Sequence, residues 1–212
     1  MTKIKICGIT NYEDAQDAVD LGADFLGFNF YNKSPRFIDY KRINEIVRKL
    51  NGNVRIVGVF VNESIDNVKR ITEMCNLDLI QLSGDENNND VIQLRKKTNN
   101  ANFNTKIIKT IRIKNIINIT GNNNKINSIQ KNNKMNSDLI NSFNSDYILL
   151  DTFKDGLYGG TGESFDLDLI KNVNNKKLFL AGGLNNANVK EAIQKLNPFA
   201  VDVCSSIESS PG

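Results

Sequence analysis

The sequence predicts an α/β fold, a parallel (β/α)8 barrel of the TIM type. Three observations carry that expectation. Short apolar runs rich in Val, Ile, Leu and Phe recur eight times along the 212 residues, as strands covered on both faces require. Segments of helical period separate them. No Gly-x-Gly-x-x-Gly turn follows the first run, which sets the closed barrel ahead of its structural rival, a doubly wound open sheet.

The elements follow in order. Residues 3–7 form a first strand, and residues 11–21 a helix that places Ala15, Ala18 and Val19 on one face. Residues 25–30 are the second strand, followed by a helix near 39–50. The β-branched run 54–61 is the third, after which Ser64 caps a helix reaching about residue 75. Strand four spans 79–82, with a helix near 90–97. Strand five spans 106–111 and strand six 147–150, with a helix starting near residue 166. Strand seven covers 178–181, its helix 186–196, and strand eight 199–203.

Two stretches break the pattern of this single barrel domain, 1–212. Residues 113–146 are Asn- and Lys-rich, with Gly121-Asn122-Asn123-Asn124 and Lys131-Asn132-Asn133-Lys134 at their heart. They read as a low-complexity insert between strands five and six, too polar to fold alone and without part in the chemistry. Its ends, 113–119 and 138–143, can supply turns of the helix this slot needs. The chain then stops at Gly212, directly after strand eight. The eighth outer helix is therefore expected to be missing. The apolar flank there is expected to lie bare or to be covered by a partner or a continuing, fused chain, and to lower stability.

Composition narrows the function. Lys and Arg number 27 against 24 Asp and Glu, a net charge of +3. The basic residues are scattered, which argues against a nucleic-acid surface and suits a small anionic substrate. No apolar run is long enough to span a membrane, and the chain opens directly into a strand, so a cytoplasmic location is expected. Three widely spaced cysteines do not make a disulfide framework. There is no histidine, so a zinc site is not expected and proton transfer falls to Cys, Asp, Glu, Lys or Tyr.

In a parallel barrel the C-terminal ends of all strands meet on one face, where residues distant in sequence share a pocket. Cys7 ends strand one there, either as a buried small hydrophobe or as a base if its surroundings ionise it. Asp151 directly follows the apolar run 147–150, a costly place for a carboxylate unless it is paired, capping or working. Asp202, inside strand eight, reads as a structural partner for a backbone group or a lysine. Gly160-Thr161-Gly162 after strand six, Gly182-Gly183 after strand seven and Ser205-Ser206 after strand eight form successive turns suited to a phosphate. Arg36, in Ser34-Pro35-Arg36, suits a carboxylate unless it is simply solvated. Gln81, Lys109 and Arg112, at the ends of strands four and five, are expected to line the pocket, unless Arg112 is a solvated start of the insert.

The ordered blocks resemble the phosphoribosylanthranilate isomerase family of tryptophan biosynthesis. They are Lys5-Ile6-Cys7-Gly8-Ile9-Thr10, Gly27-Phe28-Asn29-Phe30 with Ser34-Pro35-Arg36, Val57-Gly58-Val59-Phe60-Val61, and Gln81-Leu82-Ser83-Gly84. Further along come Leu150-Asp151-Thr152, Gly159-Gly160-Thr161-Gly162, Ala181-Gly182-Gly183-Leu184, Val201-Asp202-Val203 and Glu208-Ser209-Ser210-Pro211-Gly212. The resemblance implies a (β/α)8 barrel that performs an Amadori rearrangement without cofactor or metal. It turns N-(5′-phosphoribosyl)anthranilate into the 1-deoxyribulose phosphate derivative. It further implies Cys7 as general base, Asp151 as general acid and Arg36 on the anthranilate carboxylate. Gly160, Thr161, Gly162, Gly182, Gly183, Ser205 and Ser206 would hold the phosphate. The chain departs from the family in Ser83, where histidine is usual, and in Cys204-Ser205-Ser206, where Ser-Ser-Gly is usual. Two competing functions are another phosphosugar barrel and a non-catalytic phosphate-binding domain of a fused pathway enzyme. The first is disfavoured by the absence of histidine, the second by the joint presence of Cys7, Asp151 and Arg36.

Overall fold

Strands that are apolar on both faces cannot leave either face to water, and closing the sheet into a ring covered by helices satisfies both at once. The computed structural model, which describes residues 1–98, 104–113, 140–152 and 177–212, has this arrangement. Eight parallel strands follow one another around a closed barrel: β1 (Lys3–Cys7), β2 (Phe25–Asn29), β3 (Arg55–Phe60), β4 (Leu79–Leu82), β5 (Lys106–Ile113), β6 (Tyr147–Thr152), β7 (Lys177–Leu180) and β8 (Ala200–Val203). The ring closes where Lys3 to Ile6 pair in register with Ala200 to Val203. The described helices are α1 (Tyr12–Asp20), α2 (Tyr40–Val47), α3 (Ile65–Cys75), α4 (Asn88–Thr98) and α5 (Val189–Leu196).

Helix starts follow their caps. Asn11 accepts the Asp14 N–H, Asp39 accepts those of Lys41 and Arg42, and Ser64 accepts that of Asn67, each satisfying a donor that has no partner inside the helix. The expected helix near residue 166 and the centre of the insert, 114–139, lie outside the described residues. The ends of the insert depart from a purely polar excursion. Residue 113 closes β5, and Ile140 is fully buried against Ile148 and Leu150 in an apolar cluster. Asp146 accepts the Ile107 N–H at 2.9 Å and pairs with Arg95 at 2.8 Å. Ile140 and the Asp146 carboxylate, with Phe143 packed against the core and the Asn144 carbonyl accepting from Arg95, thus fasten the return of the segment to the barrel.

Alternation along each strand sorts side chains into two layers. Phe25, Val57, Leu79, Ile108, Leu149 and Phe179 belong to one buried cluster, inside the ring. Their sequence neighbours Leu26, Ile56, Ile80 and Ile107 pack with Ala15, Ile43, Val68 and Leu94 of the surrounding helices. The N-terminal end of the barrel is closed by aromatic rings: Phe179 meets Phe25 edge-on at 5.2 Å and Tyr147 at 5.4 Å, and the Arg55 guanidinium lies 3.9 Å over Phe25. Among the described residues these rings fill the interior at its lower end, below the C-terminal ends of the strands. Residues 204–212 continue from β8 as turns, Ile4 on the β1 flank is 39% exposed, and the Thr10 hydroxyl donates to the Gly212 carbonyl. No helix among the described residues is long and apolar enough to cross a membrane.

Lys109 departs from the expectation that it lines a pocket. On β5 it falls between the inward Ile108 and Thr110, so it points outward. There its ammonium pairs with Glu86 at 2.6 Å and donates to the Gly84 carbonyl at 2.9 Å, both side chains being almost fully buried. Removing one member of such a pair strands the other charge. Lys109→Met is expected to cost about 3–5 kcal/mol and to lower the thermal midpoint by roughly 10 °C. Scanning calorimetry checks this, and a fall of under about 3 °C contradicts it.

Candidate active site

The inward positions nearest the C-terminal ends are where alternation places polar groups. Cys7 (β1), Gln81 (β4), Thr110 and Arg112 (β5), Asp151 (β6) and Asp202 (β8) line one pocket of about 260 Å³. Arg36, Gly182, Gly183, Ser205 and Ser206 join them from the loops. Of the residues singled out in the sequence, Cys7, Asp151, Arg36, Gln81, Gly182, Gly183, Ser205 and Ser206 therefore share a site. Gly160, Thr161 and Gly162 lie outside the described residues.

Cys7 and Asp151 face the pocket from strands separated around the ring by β7 and β8. Asp151 is the penultimate residue of β6 rather than the first residue of a loop. Its carboxylate takes the Thr152 N–H at 2.7 Å. Burial pushes it up to about 6, the Asp202 charge adds to that, and the Thr152 N–H opposes it. At neutral pH this carboxyl is thus within reach of both protonation states. Gly182, at φ +83°, makes room for it: a Cβ there would lie 2.5 Å from Thr152 Oγ1 and 3.3 Å from Asp151 Oδ1. Cys7 is half-buried. Burial raises its thiol, the Lys5 ammonium pulls it back and the Asp202 carboxylate raises it further.

Lys5 and Asp202 were the residues least visible as a unit. Lys5 is wholly buried one inward step below Cys7, and its Nζ lies 2.8 Å from Asp202 Oδ1 across the β1–β8 seam. The lysine partner expected for Asp202 is this one. Its signal in the sequence is the i, i+2 spacing of Lys5 and Cys7 on one strand.

Arg36 presents its guanidinium fork to a carboxylate of the chain itself. Nε lies 2.9 Å from Glu208 Oε2, and Nη2 donates to Oε1 of the same side chain. The pairing raises the guanidinium and lowers the Glu208 carboxyl. Gln81 donates to Ser83 Oγ at 3.0 Å, and Ser83 meets Thr110 Oγ1 at 2.9 Å. Gln81 Oε1 is buried with no hydrogen-bond partner among the described residues. Behind the glycine turn, the Asn185 and Asn188 amides both donate to the Gly183 carbonyl. The Ser206 hydroxyl donates to the Leu184 carbonyl, so it braces the turn, which leaves Ser205 and backbone N–H groups to meet an anion. Arg112 pairs with Asp85 at 2.6 Å at the rim. Among the described residues no group of His, Cys, Asp and Glu side chains has the arrangement of a metal site.

A proton donor near neutrality, a thiol beside a cation, a guanidinium fork and a glycine turn together suit proton transfer on a small phosphorylated acid. The profile of the N-(5′-phosphoribosyl)anthranilate isomerase family matches residues 4–118 and 112–212. The chain is 37% identical over 213 residues to the N-(5′-phosphoribosyl)anthranilate isomerase of Citrifermentans bemidjiense, covering 100% of this chain and 90% of that one. It is 38% identical over 210 residues to that of Bacillus cereus, with 98% and 89% covered. Among solved structures, phosphoribosyl anthranilate isomerase from Thermotoga maritima superposes with a TM-score of 0.73 at 32% identity, covering 100% and 92%. A phosphoribosyl anthranilate isomerase in complex with reduced 1-(o-carboxyphenylamino)-1-deoxyribulose 5-phosphate superposes with 0.69 at 33%, covering 100% and 91%.

Proposed function

Starting from the fact that the chain belongs to the N-(5′-phosphoribosyl)anthranilate isomerase family, we propose that its pocket runs the Amadori rearrangement with Asp151 as acid and Cys7 as base. The chain is an aldose–ketose isomerase of tryptophan biosynthesis. The observation that carries the assignment of roles is the meeting of Asp151, held near neutrality, and Cys7 in one pocket with no histidine in the chain.

The chemistry needs one proton given and one taken. Asp151 gives its proton to the furanose ring oxygen; the C1′–O bond breaks and the anilino nitrogen's lone pair forms the C1′=N iminium. The positive nitrogen acidifies the C2′–H. The Cys7 thiolate takes that proton and the electron pair forms the C1′=C2′ bond, giving an enolamine. Tautomerisation protonates C1′ and leaves the ketone at C2′. The substrate nitrogen is the electron sink, so the residues described suffice for these steps.

The remaining groups orient the substrate. Arg36 takes the anthranilate carboxylate through Nη1, or through the whole fork if Glu208 yields it. Gln81 Oε1, buried and without a hydrogen-bond partner among the described residues, accepts a substrate donor. Gly182, Gly183 and Ser205 hold the phosphate through backbone N–H groups, and the family resemblance adds Gly160, Thr161 and Gly162 to the same role. Three free cysteines suit a reducing compartment such as the cytoplasm.

Carbon-13 NMR of freshly prepared N-(5′-phosphoribosyl)anthranilate tests the reaction. With the protein added, the C2′ carbinol signal should give way to a ketone at unchanged mass. Release of free anthranilate faster than in buffer, or no change with folded protein, would refute the proposal.

A further inference from the structure

We propose that Lys5, buried beneath the pocket, is a positioning residue that favours the thiolate of Cys7, with Asp202 as a counterweight that shares the same cation. The inference rests on Cys7 being the base. Lysine is rarely buried completely, and where it is, its charge is answered nearby. Lys5 is fully buried, does not line the pocket, and has two neighbours able to carry negative charge. One is Asp202, at 2.8 Å. The other is Cys7, two residues along the same strand and so on the same inward face.

Gly27 on β2 creates the place where these groups meet. A Cβ at that position would lie 2.8 Å from Cys7 Sγ and 3.0 Å from Lys5 Nζ. Sulfur and ammonium therefore flank one small gap, less than about 6 Å apart. Any side chain at position 27 would push between them. At that distance, shielded from water, a cation favours the thiolate strongly.

The charged and titratable groups facing the sulfur have different signs. Lys5 from β1 and Arg36 from the loop after β2 favour the thiolate. Asp202 from β8 and Cys204 just beyond it oppose the thiolate, and Asp151 from β6 lines the same pocket. The arrangement answers a demand of the chemistry. Acid and base must be protonated and deprotonated together, yet a carboxyl ordinarily loses its proton several pH units before a thiol does. Burial of Asp151 moves the acid up toward neutrality, and Lys5 works against the burial and the Asp202 carboxylate that together raise the thiol.

An ion pair that only fastened β1 to β8 would make the loss of either partner equivalent. Control of the thiol makes the two losses opposite. The test is the pH dependence of Cys7 labelling by iodoacetamide in the full chain, read by peptide mass spectrometry. Circular dichroism confirms the fold of each variant. Lys5→Met should move the labelling midpoint up by about one pH unit or more and slow labelling at pH 8 about tenfold. Asp202→Asn should move the midpoint down and speed labelling several-fold. Shifts in the same direction, or no shift, overturn the proposal. If Lys5→Met does not fold, Asp202→Asn decides alone: faster labelling supports the proposal, and unchanged or slower labelling overturns it. Labelling reports the thiol independently of turnover. Should Cys7→Ser isomerise substrate at the wild-type rate, it is the role of Cys7 as base that fails.

Discussion

Asp151→Asn is expected to lose turnover by about a hundredfold to ten-thousandfold while making the protein more stable at neutral pH. Asparagine keeps the acceptor for the Thr152 N–H, so the geometry of β6 has no reason to change. It has no proton to give the ring oxygen, and the sugar stays closed. The gain in stability follows from the sign of the shift. The folded carboxyl titrates at about 6, above its ordinary value of 3.8, because burial penalises its charge. Folding therefore carries a cost at pH 7 that fades as pH falls through 6 and is gone below the unfolded value. A shift of this size corresponds to something on the order of 3 kcal/mol. Thermal melts of wild type and variant should differ at pH 7 in favour of the variant and converge near pH 3.5. Equal midpoints at pH 7 would mean that Asp151 carries no such cost. Turnover within tenfold of wild type would remove it from the acid role.

Cys7→Ser is expected to match that loss by removing the other half of the proton transfer. Serine is nearly the same size, and its hydroxyl can still face Lys5. The difference lies in ionisation: a thiol beside an ammonium can become a thiolate, whereas an alcohol there stays protonated. The turnover number should fall about a hundredfold to ten-thousandfold, with substrate binding little changed, because Arg36 and the glycine turn after β7 are untouched. Steady-state kinetics on the folded variant measures both. A rise in KM alone would make Cys7 a binding residue.

What the sequence disclosed and what it concealed have physical reasons. Strands of the barrel read as short runs rich in apolar residues, some unbroken and some alternating as in β1, so all eight were visible, and Cys7 and Gly182-Gly183 stood at their ends. Asp151 stood out because a carboxylate after four apolar residues needs a reason. Strand inwardness, which alternates, was less visible: Lys109 and Arg112 looked alike beside the end of β5, yet only Arg112 reaches the pocket while Lys109 turns outward to Glu86. Contacts between ends of the chain could not be read at all. Arg36 and Glu208 are 172 residues apart, and nothing local to either announces that the fork already holds a carboxylate. The same holds for Lys5 and Asp202, 197 residues apart, joined only when the ring closes. The contact of the Ser206 hydroxyl with the Leu184 carbonyl likewise joins the turns after β8 and β7, and nothing local to either announces it.

The most direct test of the central claim is the loss of substrate fluorescence when fresh N-(5′-phosphoribosyl)anthranilate meets wild type, Cys7→Ser and Asp151→Asn side by side, each first confirmed to be folded. Rapid loss with wild type and at least about hundredfold slower loss with both variants is the predicted result. Loss at comparable rates in all three would contradict an acid–base pair made of Asp151 and Cys7.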